Sequence, residues 1–449
     1  METLLIQNAT IINEGESFVG GVLVVGDRIA KVYRGEIPAS SPLQVCKVID
    51  ATGLLCMPGV IDDQVHFREP GLTHKGDIAS ESKAAICGGV TSYMEMPNTL
   101  PQTTTLQAWQ EKMERAAQTS YANYAFYMGA TNDNADVLQQ MDLQHTPGVK
   151  VFMGSSTGNM LVDNEATLQR IFSESPILIA IHSESEEVIK RNKAKVVSVY
   201  GDDPAVALHP VIRDSEACYT STQKAIRLAK QTGARLHILH ISTAQELTLL
   251  QKDIPLQQKR ITAEVCVHHL WFEETAYSSL GARVKWNPAV KSQLDREALR
   301  EAVRTGVVDV VATDHAPHLL EEKQGGALRA ASGGPLVEHS LLMMLELARQ
   351  GEWSYELVVD FMCHRPATLF GIEQRGFIRE GYYADLVLVS PNSSWIVTDN
   401  NTHYKCGWTP LAGTTLHHAV QSTIVNGQVV YHQGEISPVR AAKPLTFQH

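Results

Sequence analysis

Apolar positions along the chain fall into two textures. From residue 1 to about 55 they come in short alternating runs, TLLIQNATII and GGVLVVGDRIAKV, broken by glycine, which predicts the strands of a small sheet. The same texture returns near the C-terminus in ADLVLVS and AVQSTIVNGQVVYHQGE, where Asn426-Gly427 marks a hairpin. Two β-rich ends around a different middle predict that the termini pair into one small domain, residues 1–55 with 375–449.

Between them, in residues 56–374, apolar runs alternate with helical patterns. The runs are LLCMPGVIDDQVHF, VTSYMEMP, YANYAFYMGA, GVKVFMG, ILIAIHSE, RLHILHIST, ITAEVCVHH and VVDVVATDH. Eight strands, nearly all followed by a helix, predict an α/β chain built on a (β/α)8 barrel; an open doubly wound sheet is the simpler alternative on counting alone. Residues 201–214 are expected to form a loop. The glycine-rich stretch 320–334 follows the eighth strand and is either an ordered flap over a site or a surface loop.

In such a barrel the site lies at the C-terminal ends of the strands, so the polar residue closing each run matters most. The first run closes in Gln64, His66 and Arg68, and the second in Asn98. Lys150 sits in the fourth, His182 closes the fifth, His240 the sixth, and Asp314, His315 and His318 follow the eighth. A single histidine at a strand end is more often a hydrogen-bonded structural residue, and a lone lysine after valines a surface side chain. Recurrence at one end of several strands outweighs those readings, because chance would scatter such residues over both ends.

His66, His182, His240 and Asp314 form a cysteine-free donor set of the kind zinc accepts. Lys150 fits less simply, since an ammonium has no lone pair. Burial beside a metal would strip its proton, or reaction with CO₂ would make it an anionic carbamate bridging two ions. His237, three residues before His240, is expected to face the opposite side and pack toward the helices. His268 and His269 are read as structural. Asn287, beside Pro288, either orients a polar substrate or satisfies the turn.

Composition narrows the partner. The 449 residues are 44% hydrophobic and 19% charged, which suits a soluble globular chain with a large core. A net charge of -11 argues against a nucleic-acid or anionic-membrane surface and leaves a small-molecule substrate as the expectation. No stretch is apolar for the length a bilayer requires, and METLLIQNATII lacks the features of a signal peptide. Cys46, Cys56, Cys87, Cys218, Cys266, Cys363 and Cys406 are scattered without a Cys-x-x-Cys pair, which suggests free thiols in a reducing cytoplasm.

MPGVIDDQVHFREPG, MEMPNTLP, GVKVFMGSSTG, IAIHSE, HILHIST, EVCVHHL, KWNPAV and VVATDHAPH together resemble the dihydroorotases of the cyclic amidohydrolase superfamily. RPATLFGI with GFIREGYYADLVLV resembles the superfamily's return into its sheet domain, so the likeness covers nearly the whole chain. It implies a metal-dependent barrel with a composite β-sandwich domain and a homodimer. It also implies that His66, Lys150 as a carbamate, His182, His240 and Asp314 hold Zn²⁺. Arg68, Asn98 and His318 would bind a substrate carboxylate, with Asn287 placing the ring. Asp314 would take a proton from the attacking water and return it to the ring nitrogen, reversibly, between dihydroorotate and N-carbamoyl-aspartate in pyrimidine (UMP) biosynthesis. Allantoinase and dihydropyrimidinase are similar in the metal residues but typically lack the Arg and Asn combination, which suits a carboxylate-bearing substrate.

The chain departs from that pattern at position 64, where the family typically has histidine. An amide oxygen is a weaker zinc ligand than imidazole. The ion served by residues 64, 66, 150 and 314 is therefore expected to be weak, absent or held with the help of the Gln64 oxygen, giving one or two zincs per chain. An inactive dihydroorotase-like partner subunit is the alternative from another class. Retention of Lys150, His182, His240, Asp314, Arg68 and Asn98 speaks against it, because a decayed site would lose several of them.

Overall fold

The computed structural model describes residues 2–37, 47–154 and 160–449. Cys46 and the SSTG portion of GVKVFMGSSTG lie outside them.

The N-terminal runs form β1 (Thr3–Asn13), β2 (Glu16–Val25), β3 (Arg28–Arg34), β4 (Lys47–Asp50) and β5 (Leu55–Pro58). One residue later the barrel begins. Its strands are β6 (Val60–Val65), β7 (Val90–Glu95), β8 (Asn123–Phe126) continued by β9 (Met128–Gly129), β10 (Val149–Phe152), β11 (Ile179–His182), β12 (Leu236–Ile238), β13 (Ile261–Cys266) and β14 (Val310–Ala312). Neighbours pair in parallel around the ring, with β8 and β9 sharing the third place. The ring closes where His315 meets Val65 and the His66 amide donates to the His315 carbonyl at 2.7 Å. These are the eight runs read from the sequence, and the barrel rather than an open sheet is what they build.

Beyond the barrel come β15 (Leu386–Ser390), the short ribbon of β16 (Trp395–Ile396) and β17 (Thr415–Leu416), then β18 (Ala419–Val425), β19 (Gln428–His432) and β20 (Glu435–Ile436). β15 pairs with β5 on one side and β18 on the other, so both ends of the chain share a nine-stranded sheet ordered β20-β19-β18-β15-β5-β1-β2-β3, with β4 beside β1. Asn426 and Gly427 take φ of 47° and 78°, the left-handed pair that a two-residue hairpin needs. The sheet has its own apolar core around Ile6, Ile11, Val22, Leu386 and Ile424.

Alternation along the barrel strands separates two apolar layers. Val65, Val149, Val151, Ile179, Ile181, Leu236 and Ile238 face the helices, while Ile61, Met94, Ala125, Ala180, Leu239 and Phe370 fill the interior. That filling leaves room only at the C-terminal strand ends. Helices are bounded by local chemistry: Asp77 and Ser292 start Ile78–Cys87 and Gln293–Thr305 through capping boxes, and Gly233 ends Ser215–Thr232 in the left-handed region. Among the described residues no helix is long and apolar enough to cross a membrane. The six described cysteines are buried free thiols.

Candidate active site

The strand ends open into a cavity of about 650 Å³. Gln64, His66, Arg68, Asn98, Lys150, His182, His240, Asn287, Asp314 and His318 all line it. Three of them, Arg68, His240 and Asp314, have positive φ of 71°, 41° and 47°. Such backbone costs a non-glycine residue about 1–3 kcal/mol and persists only where the surroundings over-determine it. Each of these residues follows its strand by two or three positions, and its side chain lines the cavity.

Two donor pairs face each other. His182 Nδ1 lies 3.1 Å from His240 Nε2, and His66 Nε2 lies 3.1 Å from Asp314 Oδ1. Two ligands of one tetrahedral zinc, each ~2.0–2.1 Å from it, stand about 3.3 Å apart, so both pairs fit a metal. Burial keeps the His66 and His182 imidazoles below their usual range, and His240 well below, so each ring is neutral, with one N–H and one lone pair. The free nitrogen is selected from behind. Glu184 Oε2 accepts from His182 Nε2 at 2.8 Å and Asn98 Oδ1 from His66 Nδ1 at 2.8 Å, the outer contacts that orient metal-binding imidazoles. Burial opposes the Glu184 carboxylate, yet Arg213 and His182 outweigh it and hold its pKa far down.

Lys150 is 1% exposed. Its Nζ has no hydrogen-bond partner among the described residues and lies 4.6 Å from the Phe152 ring centroid. Burial pulls its pKa to about 7, so the free amine that reacts with CO₂ is populated at neutral pH.

Gln64 is turned toward the same carboxylate as His66. Its Nε2 donates to Asp314 Oδ1 at 3.1 Å, while Oε1 faces Cys266 Sγ at 3.9 Å. In this arrangement the Gln64 amide nitrogen steadies Asp314, and its oxygen lies against Cys266.

A second cluster flanks the first. Arg68 Nε donates to the Pro317 carbonyl at 3.0 Å, and Nη2 to His318 Nε2 at 3.1 Å. His318 Nδ1 lies 3.5 Å from Glu322 Oε2 and 3.1 Å from Lys75 Nζ. Burial first, then Arg68 and Lys75, hold His318 far below its usual pKa, so it accepts from the guanidinium as a neutral ring. Arg68 Nη1 has no partner among the described residues. Gly71 ends the HFREPG turn with φ of 83°, and a side chain there would run into the Leu100 carbonyl. Asn287 Oδ1 is buried and has no partner among the described residues.

The 320–334 stretch is ordered. Buried Lys323 donates to the carbonyls of Lys285, Ala331 and Gly333 at 3.2, 2.7 and 2.6 Å, and Asp203 accepts from the amides of Gly326, Leu328 and Arg329. Residues Ala327–Gly333 wall the cavity. Asp203 comes from the 201–214 segment, which carries two short helical turns rather than plain loop.

His237 corrects the sequence expectation. It does not pack toward the helices but points into the barrel, 3.3 Å from Asp63 Oδ2 on β6 and 3.9 Å from Glu264 Oε2 on β13. β12 ends at Ile238, and the left-handed His240 breaks the alternation that put the two histidines on opposite faces. Asp63 and Glu264 were missed altogether. Their signal was a carboxylate inside an apolar run. His268 is packed against the Trp286 ring, 4.3 Å between centroids and 13° between planes, in keeping with a structural role.

The amidohydrolase family pattern matches residues 55–430. A dihydroorotase of Halobacterium salinarum is 35% identical over 391 residues, 85% of this chain and 87% of that protein. A dihydroorotase of Staphylococcus epidermidis is 31% identical over 96% of this chain and 99% of that one. Among solved structures, an L-hydantoinase (dihydropyrimidinase) from Arthrobacter aurescens has a TM-score of 0.91 at 27% identity, covering 99% of this chain and 100% of that one. The chain belongs to the amidohydrolase family, whose members are generally metal-dependent hydrolases. Within that family it groups by sequence with the dihydroorotases, enzymes of cyclic amide bonds.

Proposed function

We propose that this protein is a zinc-dependent dihydroorotase, interconverting N-carbamoyl-L-aspartate and L-dihydroorotate. The observation that carries the reading is Arg68, a buried guanidinium whose Nη1 has no partner among the described residues, sharing one cavity with two metal-donor pairs. A planar fork beside a hydrolytic centre suits a ring that bears a carboxylate. Hydantoins and dihydropyrimidines carry no such group, so the hydantoinase-like shape supports the fold without favouring their chemistry.

His66, Lys150 as a carbamate, His182, His240 and Asp314 would hold the metal. Zinc, when bound, lowers the pKa of water toward neutrality and draws charge from a carbonyl oxygen. Arg68 pairs with the ring carboxylate, its other face fixed by Pro317 and His318. Asn287 Oδ1 accepts a ring N–H that would relieve its unmet acceptor. Asp314 takes the proton of the attacking water and hands it to the departing ring nitrogen; the Gln64 amide holds Oδ1, leaving Oδ2 for the transfer. In ring closure the same groups act in reverse. The wall at 327–333 limits water around the reacting amide. A homodimer, supported by the family resemblance, and a cytoplasmic site of action, supported by the scattered free thiols, belong to the same proposal.

Arg68→Met tests the carboxylate role by calorimetric titration with orotate and uracil, planar analogues with and without that group. Orotate affinity is expected to fall about 100-fold, the worth of a charge-assisted pair, with uracil unchanged. Equal losses on both ligands would contradict the assignment.

A further inference from the structure

Beneath the strand-end ligands lies a second set of donors. Asp63, His237 and Glu264 are each 0% exposed, and one ligand atom from each lies within 4.8 Å of the others. Neither Asp63 oxygen, nor Glu264 Oε2, nor His237 Nε2 makes a hydrogen bond among the described residues. The neighbouring carboxylate behaves differently: Asp62 accepts from the Thr313 hydroxyl at 2.6 Å and from the amides of Thr313 and Gln64. A buried carboxylate stripped of donors costs several kcal/mol unless a cation compensates it.

The imidazole is set up as a ligand. The Thr262 hydroxyl donates to the Leu236 carbonyl, so its lone pair accepts from His237 Nδ1–H at 2.9 Å. That contact places the proton on Nδ1 and turns the Nε2 lone pair toward the two carboxylates, the outer arrangement that metal-bound histidines use. Glu264 is divided in the same way. Oε1 accepts from the His240 amide at 2.9 Å and from Cys266 Sγ at 3.2 Å, while Oε2 faces His237. Separations of 3.3 and 3.9 Å from His237 Nε2 to the carboxylates bracket the edge of a small coordination polyhedron.

We propose that Asp63, His237 and Glu264 bind a divalent first-row transition-metal ion inside the barrel, apart from the strand-end metal ligands. Both Asp63 oxygens, His237 Nε2 and Glu264 Oε2 give four donors and require no water. One imidazole with carboxylates selects Zn²⁺ or Mn²⁺ over Mg²⁺, which keeps water and oxygen ligands. Two carboxylates balance the ion's charge. Being sealed, the ion enters as the barrel forms and resists chelators that empty the open cavity. Through Glu264 it braces the backbone that carries His240. Without it, the two carboxylates overcome burial and raise His237 to about 9, so the competing occupant is a proton.

Anomalous diffraction at the zinc and manganese edges decides between ion and proton. Crystals of the purified full-length protein, grown with the two metals and then soaked in dipicolinate, are expected to keep a peak ~2.0–2.2 Å from His237 Nε2 while strand-end peaks fade. No peak among Asp63, His237 and Glu264 overturns the proposal. Asp63→Leu, checked by circular dichroism, should lose one chelator-resistant metal equivalent per chain; an unchanged count in folded protein overturns it too. If that variant does not fold, the anomalous map alone distinguishes ion from proton.

Discussion

His182 Nδ1 and His240 Nε2 face each other at 3.1 Å with their rings 73° apart, and neither nitrogen has another partner among the described residues. With the His182 proton on Nε2, its Nδ1 presents a lone pair, which the His240 Nε2–H or a metal ion can take up. Glu184 holds His182 in the tautomer that creates this arrangement.

Glu184→Gln therefore weakens metal binding without touching a ligand. Zinc affinity, read by competition with a chromophoric chelator, is expected to fall about 10-fold, the low end for such outer contacts. Unchanged affinity would show that the His182 ring is oriented by other contacts.

Gln64→His supplies the imidazole that the first strand lacks. Mass-spectrometric metal analysis is expected to find one more tightly held zinc per chain than in the unaltered protein. No gain would mean that Gln64 is not what limits the ion beside His66 and Asp314.

Lys150 ties activation to pH. With its pKa near 7 in the metal-free chain, the ammonium dominates below that value and the reactive amine above it. At fixed dissolved CO₂, zinc reconstitution of stripped protein should run about tenfold faster at pH 8 than at pH 6, following the amine fraction. Reconstitution indifferent to CO₂ would rule out the carbamate.

Lys323→Met removes the donor to three carbonyls under the cavity wall. Stranding them is expected to cost roughly 2–4 kcal/mol in denaturant unfolding and to speed amide exchange across 327–333. Exchange unchanged there would mean that Asp203 alone holds the segment.

Much of this was legible because barrel strands advertise themselves as apolar runs and their active ends as the polar residues that close them. His66, Lys150, His182, His240 and Asp314, which line one cavity, were singled out that way as candidates. The interior cluster was not, for two physical reasons. Alternation assumes continuous extended backbone, yet β6 shifts register between Asp62 and Val65, and His240 is left-handed. Neither feature involves a glycine that would have announced it. Strand-end reasoning also looks past charged residues within a run, and Asp63 and Glu264 lie there. The role of 320–334 was equally hidden, since its order depends on Lys323 and Asp203, one of them far away in sequence.

Side-by-side turnover of dihydroorotate, allantoin and dihydrouracil by the zinc-loaded protein tests the central claim most directly. Hydrolysis of dihydroorotate to N-carbamoyl-aspartate, with the other two at least about 100-fold slower in kcat/KM, is the predicted result, since neither offers Arg68 a carboxylate. Folded, metal-bound protein that leaves dihydroorotate untouched, or prefers allantoin, would contradict it.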